Sequence, residues 1–156
     1  MQSELDVEVR DEAYEVFVAE ASRGRLADRS GPVRLTLRCG RVLSGTLVSR
    51  PDESVDGHLW VDDATGRVLL IPVAAVLVIT GSRPGLRAER GDPAAASIGS
   101  WLRAAWRQDD PLVALLADGR WVGDRLVHVG ADHADLANGV DVVTVPWSVV
   151  EAWARG

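Results

Sequence analysis

The sequence predicts a mainly β protein with two helices: two small, strongly bent five-stranded barrels in tandem, each preceded by an α-helix. Three observations carry this. The same pattern occurs twice, about half a chain apart: Pro32-Val33-Arg34-Leu35-Thr36-Leu37-Arg38-Cys39-Gly40-Arg41 returns as Pro111-Leu112-Val113-Ala114-Leu115-Leu116-Ala117-Asp118-Gly119-Arg120, and Ile71-Pro72-Val73-Ala74-Ala75-Val76 returns as Val145-Pro146-Trp147-Ser148-Val149-Val150. A repeat fixes the unit that folds. Each copy is a run of short apolar segments punctuated by glycine and proline, the signature of a small all-β unit. Each copy is also preceded by an amphipathic stripe of helical period.

Residues 7–23 read as the first helix. Val9, Ala13, Val16, Phe17 and Ala21 share one face, and Glu4, Asp6, Glu8, Asp11, Glu12 and Glu15 crowd its start, where the helix dipole favours acids. Val33 to Arg38 alternates apolar and polar residues without a fault, so it is a strand with one wet face. Cys39-Gly40 is a tight turn. Arg41 to Arg50 is a second strand, bent at Gly45. A polar loop (51–57) leads to a third strand, 58–62. A fourth (68–71) and a fifth (76–80) flank the short Pro72–Ala75 turn.

Gly81 to Gly91, with Pro84 and three arginines, is a linker. Asp92 is placed to cap a second helix with Pro93 in its first turn. Ile98, Trp101, Leu102, Ala105 and Trp106 form its buried stripe, and Asp109-Asp110-Pro111 ends it. Strands follow at about 112–117, 120–129, 133–137, 140–145 and 149–154. The expected division is 1–81 (helix plus first barrel), 82–110 (linker and connecting helix) and 111–156 (second barrel).

The totals narrow the function. Apolar residues make up 47% and charged residues 26% of 156, the balance of a soluble globular protein. No leader pattern opens the chain, and its longest apolar run, Val68 to Thr80, is broken by Pro72 and too short to span a bilayer. A cytoplasmic protein with no membrane partner is the expectation. Cys39 is the single cysteine, so an intrachain disulfide and a cysteine metal cluster are both excluded. All 17 basic residues are arginine, a bias expected of a GC-rich genome. The net charge of −6 argues against a general phosphate-binding role, though a local arginine patch remains compatible with it.

Leu37-Arg38-Cys39-Gly40-Arg41-Val42-Leu43-Ser44-Gly45-Thr46-Leu47 resembles the first half of the Sm motif of Sm-like and Hfq-type proteins. That motif has a turn glycine, a bend glycine five residues on, and an apolar residue two further. The turn from Ile71 to Val76 resembles the one joining the last two strands of such barrels. The second copy matches at Gly119 and Leu126, with the bend glycine displaced to Gly123 and Asp124 in its place. The resemblance covers roughly 31–80 and 111–154 and implies an Sm-like (SH3-like) barrel in each half. The layout is also similar to small actinobacterial proteins, some labelled Fis-family transcriptional regulators; a regulatory role is what that resemblance implies. No helix-turn-helix of the kind a Fis protein would use is found.

RNA-binding Sm proteins carry an Asp and an Asn in the loop after the second strand and an Arg-Gly pair before the fifth. Here the first loop lacks Asn and a stacking aromatic, and the later turns read Pro72-Val73 and Pro146-Trp147. Asp132 and His133 are what the second half offers in that place. RNA or single-stranded nucleic acid is therefore the alternative partner, through Arg83, Arg87, Arg90, Arg103 and Arg107 around the linker together with Asp132 and His133.

No chemistry stands out. There is no nucleophile elbow, dinucleotide fingerprint or phosphate loop. Asp62-Asp63 and Asp109-Asp110 are adjacent pairs, which do not converge on a substrate from a strand. His128, Asp132, His133 and Asp135 are close enough in sequence to be metal ligands, but the expectation is a solvated loop without metal. No catalytic residue and no cofactor are assigned, and the protein is expected not to be an enzyme. The anomaly is six tryptophans. Trp101 and Trp106 are expected in the core. Trp121, Trp147 and Trp153 stand where the first copy has Val42, Val73 and Ile79, and they fill the join between the halves or form a binding face. The expected function is a non-enzymatic regulatory module that binds a protein partner through these tryptophans, or self-associates through open barrel edges. Those edges are expected at the fourth and fifth strands, where the halves either pair with each other, giving a monomer, or pair head to tail between chains into a ring or a dimer. A third, distant reading is a small-molecule sensor with a pocket between the barrels.

Overall fold

Segments of five to nine alternating residues cannot satisfy their backbone groups alone, so they pair. In the computed structural model, which describes Leu26, residues 29–84 and residues 96–156, they pair into two antiparallel sheets. The strands are β1 (Arg29–Leu37), β2 (Val42–Val48), β3 (His58–Asp63), β4 (Val68–Pro72), β5 (Val76–Thr80), β6 (Arg83–Pro84), β7 (Leu112–Leu116), β8 (Trp121–Val122), β9 (Arg125–Val129), β10 (His133–Asn138), β11 (Asp141–Pro146) and β12 (Val150–Arg155). Among the described residues there is one α-helix, α1 (Ile98–Arg107). The first predicted helix, 7–23, lies outside them.

The larger sheet runs β5-β1-β2-β3-β4-β12-β7-β8, with β6 paired to the beginning of β1; the smaller runs β11-β10-β9. This corrects the expectation of two separate barrels. Neither strand set closes on itself. The outer edge of β4 is taken by β12 from the second half, with Leu70 opposite Trp153, Leu69 opposite Ala154 and Val68 opposite Arg155. One sheet therefore passes through both repeats.

The repeat itself is written in backbone hydrogen bonds. Leu37 N–H donates to Arg41 and Gly40 N–H to Leu37, each at 2.9 Å; Leu116 to Arg120 and Gly119 to Leu116 do the same at 2.9 Å. Arg38 N–H reaches Ala75 just as Ala117 N–H reaches Val149, both at 2.9 Å. The turn residues Gly40 and Gly119 have φ of 87° and 86°, a region that favours glycine.

The second strand differs between copies. In the first it is continuous, and Gly45 allows β3 to approach: a Cβ there would lie 2.5 Å from the Asp62 carbonyl oxygen. In the second it is split into β8 and β9. Gly123 sits at the split with φ 90°, and a Cβ there would lie 2.9 Å from Leu136 Cβ. Both glycines serve the same close approach to the third strand of their copy. Because Gly123 also turns the chain, the predicted strand 120–129 breaks there.

The connecting helix is shorter than expected. Ser97 is its N-cap and its Oγ accepts from Ser100 N–H at 3.1 Å. Ala96 cannot join the helix, because it is bridged to Val55 and its N–H donates to Ser54 O. Trp101, Leu102 and Ala105 are buried as the stripe predicts, but Trp106 is 41% exposed. It stands at the rim of the helix, edge-on to His128 with centroids 5.8 Å apart.

Two apolar cores flank the larger sheet, and each draws on both halves. Trp60 and Leu70 join Trp101, Leu102, Leu112, Leu126, Leu136 and Trp153 on one side. Leu35, Leu47, Val61 and Ile71 join Leu115, Ala152 and Ala154 on the other. Strands β3, β4, β12 and β7 are thus covered on both faces, which accounts for their unbroken apolar runs.

Candidate functional site

Two of the four sheet-end strands are the first candidate surface. β5 ends the larger sheet at the side away from β8, β11 ends the smaller at the side away from β9, and each is the counterpart of a strand used at the internal junction: β5 corresponds to β12 and β11 to β4. At the junction those strands are sealed, with Leu70 0%, Leu69 3% and Trp153 1% exposed. At the free edges Leu77, Val78 and Val142 are 61%, 55% and 59% exposed. Sequence reasoning named the fourth and fifth strands as the edges, which β11 and β5 are, but not these side chains. The available signal was Val76-Leu77-Val78-Ile79, apolar on both faces where an ordinary edge would carry charge.

The junction has a polar seam. Glu151 is 5% exposed, the one buried polar or charged side chain among the described residues. Its Oε1 accepts from Cys39 N–H at 2.9 Å, joining β12 to the turn after β1. Nearby, Arg41 Nε donates to Gly119 O at 2.9 Å, and Arg67 lies over the Trp121 ring at 5.8 Å. Beside this seam is an open cleft of about 590 Å³, lined by Arg38, His58, Pro72, Trp147, Glu151 and Trp153 among others. His58 Nδ1 is 2.7 Å from Asp56 O, and burial pushes the His58 pKa below its ordinary value despite the carbonyl and carboxylate of Asp56.

The predicted tryptophans divide between the two cores. Trp153 is buried in the junction. Trp121 is half-buried against the core around Leu115, and Trp147 against the core around Trp101. Trp147 Nε1 is buried without a hydrogen-bond partner. Trp147 and Trp153 both line the cleft beside the seam, whereas Trp121 packs on the other core.

The predicted arginines also separate. Arg87 and Arg90 lie outside the described residues. Arg83 is in β6, paired with Ser30. Arg107 closes α1. Arg103 donates to Gly130 O at 3.3 Å, which brings it near Asp132 and His133. The adjacent carboxylates have local partners: Arg50 Nη2 donates to Asp62 Oδ1 at 2.8 Å, Thr65 N–H to Asp63 Oδ1 at 2.6 Å, and Arg155 Nε to Asp110 Oδ2 at 2.8 Å.

His128 lies in β9 and His133 and Asp135 in β10, within the strands expected at 120–129 and 133–137, and Asp132 is in the bend between them. His128 on β9 is directly opposite Asp135 on β10, which in turn is opposite Thr144 on β11. His133, two residues before Asp135, shares its face of the sheet. One ring nitrogen of each histidine and an Asp135 oxygen lie within 4.8 Å of one another.

No protein-family model matches this chain, and no curated protein matches it. No helix among the described residues is long and apolar enough to cross a membrane.

Proposed function

We propose that the chain is a non-enzymatic interaction module made of tandem, open Sm-like units, and that it associates with itself head to tail through β5 and β11. One observation carries the reading. Inside the chain, the fourth strand of one repeat is joined to the fifth strand of the other, and the two strands left over are of the same two kinds. A second copy therefore meets each free edge with the surface that already works internally. Leu77, Val78 and Val142 lie on those edges and would be covered by the contact. Such a contact is heterologous: it closes into a ring if the rotation allows and otherwise runs on. A regulatory role, in which assembly presents or hides a partner surface, is the function such a module serves.

Light scattering on the purified 16.8 kDa chain tests this. The expected result is a mass several times the monomer at tens of micromolar. Leu77→Glu on β5 and Val142→Glu on β11 should each give monomer with an unchanged circular dichroism spectrum. A monomeric wild-type chain at that concentration overturns the reading.

The second reading is binding of RNA or single-stranded nucleic acid. It is favoured by Arg103 reaching Gly130 beside His133, which puts a guanidinium and a stackable ring on one side of the smaller sheet. Gel shifts with oligo-U, oligo-A and oligo-dT at low salt test it; a real complex weakens steeply as salt rises, and no shift removes it.

A further inference from the structure

We propose that His128, His133 and Asp135 form a binding site for a divalent first-row transition ion of the zinc type. The register of the smaller sheet builds it. Cross-strand pairing sets His128 against Asp135, and strand alternation adds His133 on the same face. His128 Nδ1 and Asp135 Oδ2 are 3.8 Å apart. That is too long for a hydrogen bond, but it is a span that two metal–ligand bonds of about 2.0–2.2 Å bridge.

The outer partners needed to aim such ligands are present. Asp132 Oδ1 is 2.8 Å from His133 Nδ1. With the proton on Nδ1, the carboxylate holds the ring and leaves the Nε2 lone pair free, the carboxylate–histidine–metal arrangement. Thr144 Oγ1 donates to Asp135 Oδ1 at 2.6 Å, which leaves Oδ2 facing His128. Gly130 makes room for the His133 ring, since a Cβ there would lie 2.3 Å from its Cε1. Asp132 is already committed to His133, so it is an outer partner rather than a ligand.

Two imidazoles and one carboxylate select Zn²⁺, Ni²⁺, Co²⁺ or Cu²⁺ over Mg²⁺ and Ca²⁺, which prefer all-oxygen shells. Three protein ligands leave at least one coordination position to water or to a donor from a bound partner. The histidine side chains are 53% and 37% exposed, so the ion is reachable from solvent.

The test is titration of the full chain with ZnCl₂ by isothermal calorimetry, with MgCl₂ alongside. The expected result is one Zn²⁺ per chain and no heat with Mg²⁺. His128→Ala and His133→Ala should each weaken Zn²⁺ binding at least about tenfold, with circular dichroism unchanged. Thr144→Val keeps all three ligands and should cost up to about tenfold through loss of aim. Trp106 gives an independent readout because its ring abuts His128. Co²⁺ should quench its fluorescence in the wild type but not in His128→Ala, and Trp106→Phe should lose the quench while still binding Zn²⁺. Absence of both heat and quenching overturns the proposal, as does unchanged Zn²⁺ affinity in the His128→Ala/His133→Ala double variant.

Discussion

At the scale of single residues, three positions have outcomes fixed by their surroundings. Gly45 has no space for a methyl group, because the Asp62 carbonyl is backbone and cannot swing aside. Gly45→Ala should therefore destabilise the fold by about 1–3 kcal/mol or more, read as a lower urea midpoint. Glu151 holds Cys39 N–H from within a covered seam. Glu151→Gln keeps an acceptor oxygen there, whereas Glu151→Ala leaves the amide without it and should cost about 1–3 kcal/mol. His58 is the titrating case. Its folded pKa is lowered by burial, so the unfolded chain takes up a proton first as pH falls. Above about 6.5 both states are neutral at this residue and it contributes no pH dependence. As pH drops from there toward the folded pKa, His58 draws stability down, and the loss levels off below it. His58→Gln should flatten that part of a stability-against-pH curve; an identical slope in both proteins would show that burial does not perturb His58.

At the scale of elements, the helix and the split strand give the clearest lessons. Ser97 caps α1, and Ser97→Ala should cost about 1 kcal/mol in thermal or chemical unfolding. The sequence pointed to Asp92 as cap, because Asp-Pro is a strong local signal. What stops the helix at Ile98 is a non-local bridge from Ala96 to Val55, which no local pattern encodes. The helical stripe correctly marked Trp101, Leu102 and Ala105. It did not mark the rim position of Trp106, which leans edge-on against His128 of β9 and stays 41% exposed. Strand alternation in β1 was fully legible: Val33, Leu35 and Leu37 are all buried. The break at Gly123 was only half legible, since a displaced glycine predicts a bend, while φ 90° and the Leu136 contact decide that pairing stops. The strands that carry the histidine–aspartate row were legible at 120–129 and 133–137, but the row itself read only as solvated side chains. Its ligands meet through cross-strand register, which is a property of the pairing rather than of the spacing.

At the scale of the whole molecule, the duplication was legible, and so was the option that the halves pair through the edges of their fourth and fifth strands, which is the β4–β12 pairing observed. The matched turns could be read from Gly40 and Gly119, but local pattern could not choose between pairing within the chain and pairing between chains, because the register of β4 on β12 joins segments far apart in sequence. This docking mixes the cores, so neither half is self-sufficient. Residues 1–84 alone would expose Leu69, Leu70 and Ile71, and should be insoluble or unfolded by circular dichroism. Co-expression with residues 85–156 should restore a soluble complex. A folded, monomeric 1–84 fragment would show that the cores are separable. Trp153, 1% exposed between Leu70 and Ala114 in the sheet, should be the costliest tryptophan to remove. Trp153→Ala should lose about 3–5 kcal/mol.

Cys39 gives this architecture a built-in gauge. It is the sole thiol of the chain, it is half-buried, and its own amide is tied to Glu151 from the opposite repeat. A bulky thiol reagent gains full access when the repeats part, so its reaction rate reports how often they do so. The breathing of the molecule across its midline can be timed in the natural sequence, with no cysteine to add and none to remove.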